Sequence, residues 1–392
     1  MTHDKSLREA EATVKKNESG EYYDLSKNSL VQEGCKHLRK EDMDKLFATL
    51  RLRFSMTPAC NLWCVFCSNE GSSYAAKSEK FADVDQVIKL SKMLLDNTPL
   101  KSIDFSGGEP LIHPDFKDGN FKLVEFVKQY PDARFSLHTN GINLTKTIVD
   151  KIKDHFSRIG ISVHSFNFET WNKITNLKGL FPVEAQKEKF AKVMANLEYL
   201  GQQNIGHKVF IKSVIMRGVN DSEDELKGIL DFCDKHNFHP KFLEFEPQYP
   251  EQRKYIVGRK EFFEKLEKIG CHFSADVPRH NDPDTYIPGV NFSYYGKNET
   301  FGLHSIFGCG LKGACESCYS FLCMFVKPDQ NGKGLYLKPC SVLDTRIDLS
   351  HALETNNAQQ LLDLFKLSRE YLMLSPGLAS CGWNREEDYK FE

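Results

Sequence analysis

The stretch Cys60-Asn-Leu-Trp-Cys64-Val-Phe-Cys67 places three cysteines in one short loop, with the spacing C-x3-C-x2-C. It follows an apolar run at 52–56 that is typical of a β-strand. Thiolates are the usual ligands of iron–sulfur clusters, and a short loop can bring three of them around one four-iron cluster. Three ligands leave one iron open to another molecule, so the spacing predicts a reactive cluster. The alternatives are unrelated buried thiols or a zinc site, although zinc sites usually pair C-x2-C with a second, distant pair.

Composition limits the class of protein. The chain has 392 residues, of which 40% are hydrophobic, enough for one large domain and a smaller one. Its formal charge of -2 gives no overall basic surface for nucleic acid. Residues 1–24 are charged and lack an apolar signal segment, and no run approaches the roughly 20 apolar residues that span a bilayer. We therefore expect a cytoplasmic protein without a membrane partner, whose 12 cysteines stay reduced and available to metals.

Hydrophobic periodicity predicts an α/β fold. Helical patterns, including one at 184–200 and one that begins after a Ser222/Glu225 capping box, alternate with apolar, β-branched runs. The candidate strands are 52–56, 102–105, 134–138, 159–164, 209–216 and 242–245. Six β–α units in series predict a parallel sheet with right-handed crossovers, closed as a partial (β/α)6 TIM-type barrel. The active site would lie at the carboxyl ends of the strands, where the cysteine triplet follows the first strand.

The composition changes twice along the chain and predicts three regions. Residues 1–48 form a polar N-terminal extension, 49–275 form the barrel, and 276–392 form a small C-terminal domain. In the last region a strand-like run at 321–326, a turn at 329–334 and a second short run predict a hairpin, and an amphipathic helix follows at 359–374. The hairpin would bring the thiols of Cys315, Cys318 and Cys340 together as metal ligands. Cys309 and Cys323 are either further ligands or packing thiols. A zinc site is the alternative here too.

Two further motifs follow predicted strands. Ser106-Gly107-Gly108-Glu109-Pro110 ends the second strand, and Thr139-Asn140-Gly141 ends the third. Together with the cysteine triplet at this spacing, they resemble the radical S-adenosylmethionine (SAM) superfamily, whose GGEP motif holds the amino group of SAM. The resemblance implies that Cys60, Cys64 and Cys67 bind the SAM-binding [4Fe-4S] cluster. It also implies that the following residues bind SAM: Gly107, Gly108, Glu109, Pro110, Thr139, Asn140, Ser162 and Arg217.

Within that superfamily the chain looks most like the subgroup that includes the GTP 3′,8-cyclase of molybdenum cofactor biosynthesis. The likeness covers 51–341, with dense matches at 210–221 and 243–247 and the same order of C-terminal cysteines as a twitch/SPASM-like auxiliary cluster domain. It implies that Arg53 and Lys212 contact an anionic substrate. The sequence departs from the cyclase after the GGEP motif, where Leu111-Ile112-His113 replaces a basic residue. It departs again at Phe391-Glu392, where the cyclase ends in Gly-Gly.

The resemblance implies a radical SAM enzyme with a second, auxiliary [4Fe-4S] cluster. Such an enzyme takes an electron from a donor such as flavodoxin or ferredoxin, cleaves SAM and abstracts hydrogen from its substrate. A small, nucleotide-like or phosphorylated substrate and a rearrangement or cyclisation are expected, of lyase or oxidoreductase type, in cofactor or natural-product biosynthesis. The alternatives are a radical SAM peptide maturase, a sulfur-inserting enzyme, or a non-catalytic iron–sulfur protein for electron transfer or redox sensing.

Overall fold

The computed structural model describes residues 40–67, 80–245, 247, 250–273, 289–294, 297–302, 323–329, 331–338 and 346–374. The strands are β1 Arg51–Ser55, β2 Ser102–Ser106, β3 Arg134–Thr139, β4 Arg158–Ser162, β5 Val209–Ile215, β6 His239–Glu244, β7 His272–Phe273, β8 Gly289–Tyr294, β9 Lys297–Gly302, β10 Cys323–Pro328, β11 Leu335–Lys338 and β12 Ile347–Asp348. The helices are α1 Lys40–Thr49, α2 Val84–Asn97, α3 Pro114–Lys117, α4 Lys122–Val127, α5 Lys146–Ile152, α6 Phe168–Thr175, α7 Val183–Gly201, α8 Glu223–His236, α9 Arg259–Lys268, α10 Ser350–Glu354 and α11 Ala358–Leu374. Within these ranges no helix is both long enough and apolar enough to cross a membrane.

The predicted elements are present with small shifts at their ends. The six candidate strands are β1 to β6, and the predicted helices at 184–200 and 359–374 are α7 and α11. Ser222 caps α8 by accepting a hydrogen bond from the Glu225 backbone N–H at 3.3 Å. The Glu225 carboxylate instead accepts from the Ser165 hydroxyl at 2.6 Å. Only the first half of the predicted capping box is therefore confirmed, because Ser165 engages the second residue.

The chain divides into two compact units, each made of segments that are distant in sequence. The first comprises 1–54, 82–103 and 306–392. There β10 pairs in parallel with β1, while β10, β11 and β12 pair antiparallel in that order. The Asp329 carboxylate accepts from the backbone N–H groups of Asn331 and Lys333 and fixes the turn between β10 and β11. The predicted hairpin is confirmed.

The second unit comprises 55–81 and 104–305 and contains the parallel part of the fold. Strands β3, β4, β5 and β6 pair in parallel in chain order, and helices α5 to α8 occupy the connections. The side chains of Leu137, Ile161 and Ile211 on these strands are fully buried, and the Phe105 ring contacts the rings of Phe135 and Phe156. A short antiparallel sheet follows, in the order β7-β8-β9. The α/β class with a partial TIM-type barrel is confirmed.

Candidate functional site

The cysteine loop, defined here as residues 56–67, follows β1 and is anchored along its first half. The backbone N–H of Met56 donates to the carbonyl of Ser106 at 2.8 Å, at the end of β2. The Thr57 hydroxyl donates to the Lys80 carbonyl at 2.7 Å and accepts from the Ala59 N–H at 3.0 Å. These bonds fix the backbone that leads directly into Cys60.

The Gly-Gly-Glu turn after β2 packs backbone against backbone on this loop. The N–H groups of Gly108 and Glu109 donate to the carbonyls of Thr57 and Ala59 at 2.7 and 2.9 Å. A Cβ atom on Gly108 would lie 2.0 Å from the Ala59 carbonyl oxygen, a distance that no side chain tolerates. Gly107 has φ +130°, a backbone conformation that favours glycine. Both glycines are therefore required by the cysteine loop itself.

Glu109 joins this turn to the end of β3. Its buried carboxylate accepts from the Leu111 N–H at 3.0 Å, the Thr139 hydroxyl at 2.6 Å and the Asn140 N–H at 2.7 Å. Burial raises the pKa of Glu109 to about 7, and these three hydrogen bonds act in the opposite direction. Pro110 begins a short 3-10 turn, Pro110–Ile112, that follows Glu109. The two motifs that were predicted separately thus form one connected structure.

The side chain of Asn140 reaches the cysteines. Its amide nitrogen donates to the Asn61 side-chain oxygen at 2.6 Å and lies 3.8 Å from the Cys60 sulfur. The Leu62 N–H points at the same sulfur from 3.5 Å. From α7, the Lys189 ammonium donates to the Asn61 carbonyl at 2.8 Å and lies 3.6 Å from the centre of the Phe181 ring. Cys60 therefore has N–H donors and a cation in its surroundings, which suits a thiolate.

The second half of the loop is held by the segment after β4 and by a turn after β6. The backbone N–H groups of Trp63 and Val65 donate to the carbonyls of Thr175 and Ile174, both at 2.9 Å. The Phe66 ring packs edge-on against His164 at 4.5 Å and against an apolar cluster whose buried members are Ile174, Val214, Met216 and Phe245. The cysteine loop is thus fixed at both ends by residues far away in sequence.

The three thiols fit the predicted cluster. They carry no disulfide, and the charges of Cys60 and Cys67 both act on Cys64, so the three groups lie near one another. Burial first, and then neighbouring negative charge, raises the pKa of Cys60 to about 12 and holds the pKa of Cys64 well above its usual range. A bound metal must therefore displace protons to form thiolates. Among the described residues no group of three His, Cys, Asp or Glu side chains converges on a point where one metal ion would fit. A cubane does not require that, because its thiolates bind different iron atoms.

The other predicted contacts lie in several places. Ser162 ends β4 and is paired in register with Lys212 on β5. The Arg217 guanidinium is exposed and donates to the Glu261 carboxylate at 3.1 and 2.5 Å. In the first unit, the Arg53 guanidinium lies 5.6 Å from the centre of the Phe325 ring. The structure thus engages Arg217 in an ion pair on the surface of the second unit.

The C-terminal cysteines are mostly beyond what the structure describes. Cys309, Cys315, Cys318 and Cys340 lie outside the described residues. Cys323 is the first residue of β10. The second cluster and its ligands therefore stay predictions.

One group of polar residues in the second unit joins a predicted site residue, Lys212, to two residues that were not predicted. Asp104 Oδ2 lies 3.1 Å from His138 Nε2, and Lys212 Nζ lies 2.6 Å from His138 Nδ1. Of the three, sequence reasoning identified only Lys212. A signal for the other two was present in the sequence. Every second residue of β2 and β3 is polar, and the residues between them are apolar.

Comparison with known proteins is consistent with this site. Residues 54–233 match the family model described as the radical SAM superfamily. The GTP 3′,8-cyclase of Aliarcobacter butzleri is 32% identical over 195 residues, which are 50% of this chain and 54% of that protein. The GTP 3′,8-cyclase of Nautilia profundicola is 25% identical over 324 residues, covering 80% and 88%. A solved structure, native anSMEcpe with bound AdoMet, aligns with TM-score 0.44 and 19% identity over 56% of this chain and 59% of that chain. The family match and the relatives support the radical SAM superfamily.

Proposed function

We propose that this protein is a radical SAM enzyme that acts on a small, phosphorylated, nucleotide-like substrate. The observation that carries the proposal is the junction of its motifs in one structure. The Gly-Gly-Glu turn hydrogen-bonds to the backbone just before Cys60, and the Glu109 carboxylate holds the ends of the Thr139-Asn140 segment. An electron-transfer protein would need the cysteines but not this arrangement beside them.

The residues of the loop have distinct tasks in this proposal. Cys60, Cys64 and Cys67 would hold a [4Fe-4S] cluster. When bound and reduced, that cluster supplies the electron that cleaves SAM into methionine and a 5′-deoxyadenosyl radical. Asn140 and the Leu62 N–H donate toward the Cys60 sulfur, and such donors favour a thiolate over a thiol. Lys189 adds a positive charge on the same side of the loop.

The turn after β2 would bind the amino acid end of SAM. Backbone carbonyls at Gly107 and Gly108 can accept from the SAM ammonium, because glycine has no side chain of its own that would hinder a close approach. Glu109 accepts three hydrogen bonds from the protein itself, so we assign it to ordering the turn and not to contacting SAM. Thr139, Asn140 and Ser162 extend the proposed SAM contacts along the ends of β3 and β4, and Arg217 stays a candidate.

The substrate class is proposed from the relatives and from charge. The relatives reported above are GTP 3′,8-cyclases, which makes GTP the first compound to test. Lys212 and Arg53 are the proposed cationic contacts for a phosphorylated group. Cys315, Cys318 and Cys340, with Cys309 and Cys323 as further candidates, would hold the auxiliary [4Fe-4S] cluster. Flavodoxin or ferredoxin is the proposed electron donor.

The test begins with anaerobic reconstitution of the wild type and of a Cys60/Cys64/Cys67→Ala triple variant. We expect about eight irons per chain, falling to about four in the variant. With dithionite and SAM, the wild type should form 5′-deoxyadenosine and methionine, measured by mass spectrometry, and the triple variant should not. A fully loaded wild type that leaves SAM intact would make the chain a non-catalytic iron–sulfur protein.

The substrate is tested with the same reconstituted enzyme. GTP and other nucleoside triphosphates carrying deuterium on the ribose are supplied together with SAM. Transfer of deuterium into 5′-deoxyadenosine identifies a substrate, because the label can arrive only by hydrogen abstraction. Transfer from a peptide, and from none of the nucleotides, would favour the peptide maturase alternative.

A further inference from the structure

The strands of the second unit have one apolar and one polar face. Phe105, Leu137, Ile161 and Ile211 are fully buried, as expected of side chains that meet the surrounding helices. The alternate positions carry Asp104, His138, Gly160, Ser162 and Lys212, which lie on the opposite, inner face because side chains alternate along a strand. Small parallel barrels usually fill this face with branched apolar residues. A polar inner face is therefore a feature that needs a reason.

Three residues on this face form a chain of hydrogen bonds. Asp104 is completely buried, and the His138 side chain is 14% exposed. Because the Lys212 ammonium can only donate, His138 Nδ1 accepts its hydrogen bond and Nε2 carries the ring proton. That proton points at the Asp104 carboxylate. The imidazole thus links a buried anion to a cation and fixes the direction of the Lys212 side chain.

Gly160 makes room for this chain. A Cβ atom at position 160 would lie 2.7 Å from His138 Nδ1, 2.7 Å from Lys212 Cε and 2.9 Å from Lys212 Nζ. Strand β4 runs between β3 and β5. Any residue other than glycine at position 160 of β4 would therefore place a side chain between His138 and Lys212. The absence of a side chain lets His138 and Lys212 meet across an intervening strand.

A second cation lies beside Lys212. In the register of β5 and β6, Lys212 is paired with Lys241, so both lysines lie on the same face of neighbouring strands. An anion that lies between the two lysines would form charge-assisted hydrogen bonds with both ammonium groups. On the other side of Lys212 in the register, Ser162 adds a hydroxyl.

We propose that this inner face carries an anion subsite formed by Lys212 and Lys241, in which His138 and Asp104 are positioning residues for Lys212. Its ligand is a phosphate group of a small molecule. The assignment of that phosphate to the substrate rests on the proposed function, whereas the subsite itself does not. Because Ser162 is a proposed SAM contact, the bound phosphate would place its molecule next to SAM.

The test uses inorganic pyrophosphate as the probe and the full, reconstituted chain. Isothermal titration should show saturable binding to the wild type. Lys212→Met and Lys241→Met should each weaken it by about tenfold or more, the size of one lost charge-assisted hydrogen bond. Lys187→Met, which removes an exposed lysine from α7, is the matched control and should bind as the wild type does. No binding to the wild type, or equal binding to Lys212→Met, would overturn the subsite.

The positioning role has its own readout. His138→Gln keeps an oxygen that can accept from Lys212 and should retain most of the pyrophosphate affinity, whereas His138→Leu and Asp104→Asn should lose it. In ¹⁵N-histidine spectra the wild-type ring should show the Nε2–H tautomer, and pyrophosphate should shift its Nδ1 resonance. An Nδ1–H tautomer, or equal binding by His138→Leu, would contradict the role. SAM cleavage by the dithionite-reduced protein is measured on the same samples, so a failure of the proposed function is seen separately.

Discussion

The Thr139 hydroxyl donates a 2.6 Å hydrogen bond to the carboxylate of Glu109, a residue at the end of a different strand. The same carboxylate accepts from the Asn140 N–H, and Asn140 in turn directs its amide toward Cys60. The buried Glu109 side chain thus holds the end of β3 in place beside the cysteine loop. This relation gives Glu109 a role in ordering the site through its contacts with the protein itself.

Glu109→Gln should destabilise the fold and weaken SAM binding. At pH 8 the ionised carboxylate accepts from three donors, whereas a glutamine amide presents N–H groups to at least one of them. The loss should be about 1–3 kcal/mol in the free energy of unfolding, the cost of an unsatisfied buried group. Urea denaturation of the unreconstituted protein measures it. Glu184→Gln, whose side chain is 80% exposed, is the control and should change little. Wild-type stability in Glu109→Gln would contradict this account.

Gly108→Ala should prevent iron loading. The added methyl group would overlap the Ala59 carbonyl and push the loop away from the turn. Iron per chain after reconstitution should fall below the wild-type value, and any iron that remains is assigned to the proposed auxiliary cluster. Gly228→Ala in α8 is a matched control, because nothing lies within 4 Å of its Cβ position and alanine favours a helix. That control should load normally and unfold at equal or higher urea, and equal iron in both variants would refute the prediction.

Lys189→Met should make the cluster harder to reduce. The ammonium lies beside the loop that holds Cys60, and a nearby positive charge stabilises the reduced, more negative cluster. The midpoint potential from an EPR-monitored redox titration should shift to a more negative value. Lys189→Arg keeps the charge and should preserve the potential. Lys189→Gln keeps a donor for the Asn61 carbonyl without the charge, so it should behave like Met, and an unchanged potential would rule out the electrostatic role.

His164 should make the fold sensitive to acid. Burial lowers the pKa of His164 from 6.5 to about 3, and its Nδ1 accepts from the Val214 N–H at 3.1 Å. The unfolded chain therefore binds more protons than the folded chain in this window, and stability falls as the pH drops from 6.5 toward about 3. His164→Asn keeps an acceptor that does not titrate. Its free energy of unfolding should vary less over that window, while His207→Asn, at an exposed position, should keep the wild-type slope.

The secondary structure of the barrel could be predicted because local patterns and tertiary packing agree there. The stripe on α7 includes Val193, Leu197 and Leu200, all buried, and β1 to β6 carry the apolar runs that defined them. The hairpin of β10 and β11 followed from its turn. The pairing of β10 with β1 did not, because register between strands so distant in sequence leaves no local signal.

The motifs of the candidate site could be predicted from the sequence, but the hydrogen bonds between the motifs could not. The cysteines and the Gly-Gly-Glu turn are read from spacing, yet nothing in the sequence pairs Gly108 with Thr57 or Lys189 with Asn61. Glu109 was expected to bind SAM, and its bonds to Thr139 and Asn140 appear only in three dimensions. His138 and Asp104 were missed because each alone is an ordinary polar residue of a strand. Their role becomes visible only with Gly160, whose missing side chain lets His138 reach Lys212.

The anchoring of the cysteine loop also sets an order of events during synthesis. Its partners lie at Gly108, Asn140 and Ile174, and the Gln252 amide donates to the Val65 carbonyl at 3.0 Å. When Cys67 leaves the ribosome, none of these partners has been made. The contacts that anchor the cysteine loop are complete only after more than half of the chain has emerged and folded. A cluster bound by these three cysteines would therefore have its full set of anchoring contacts only in the folded protein, not in a nascent loop.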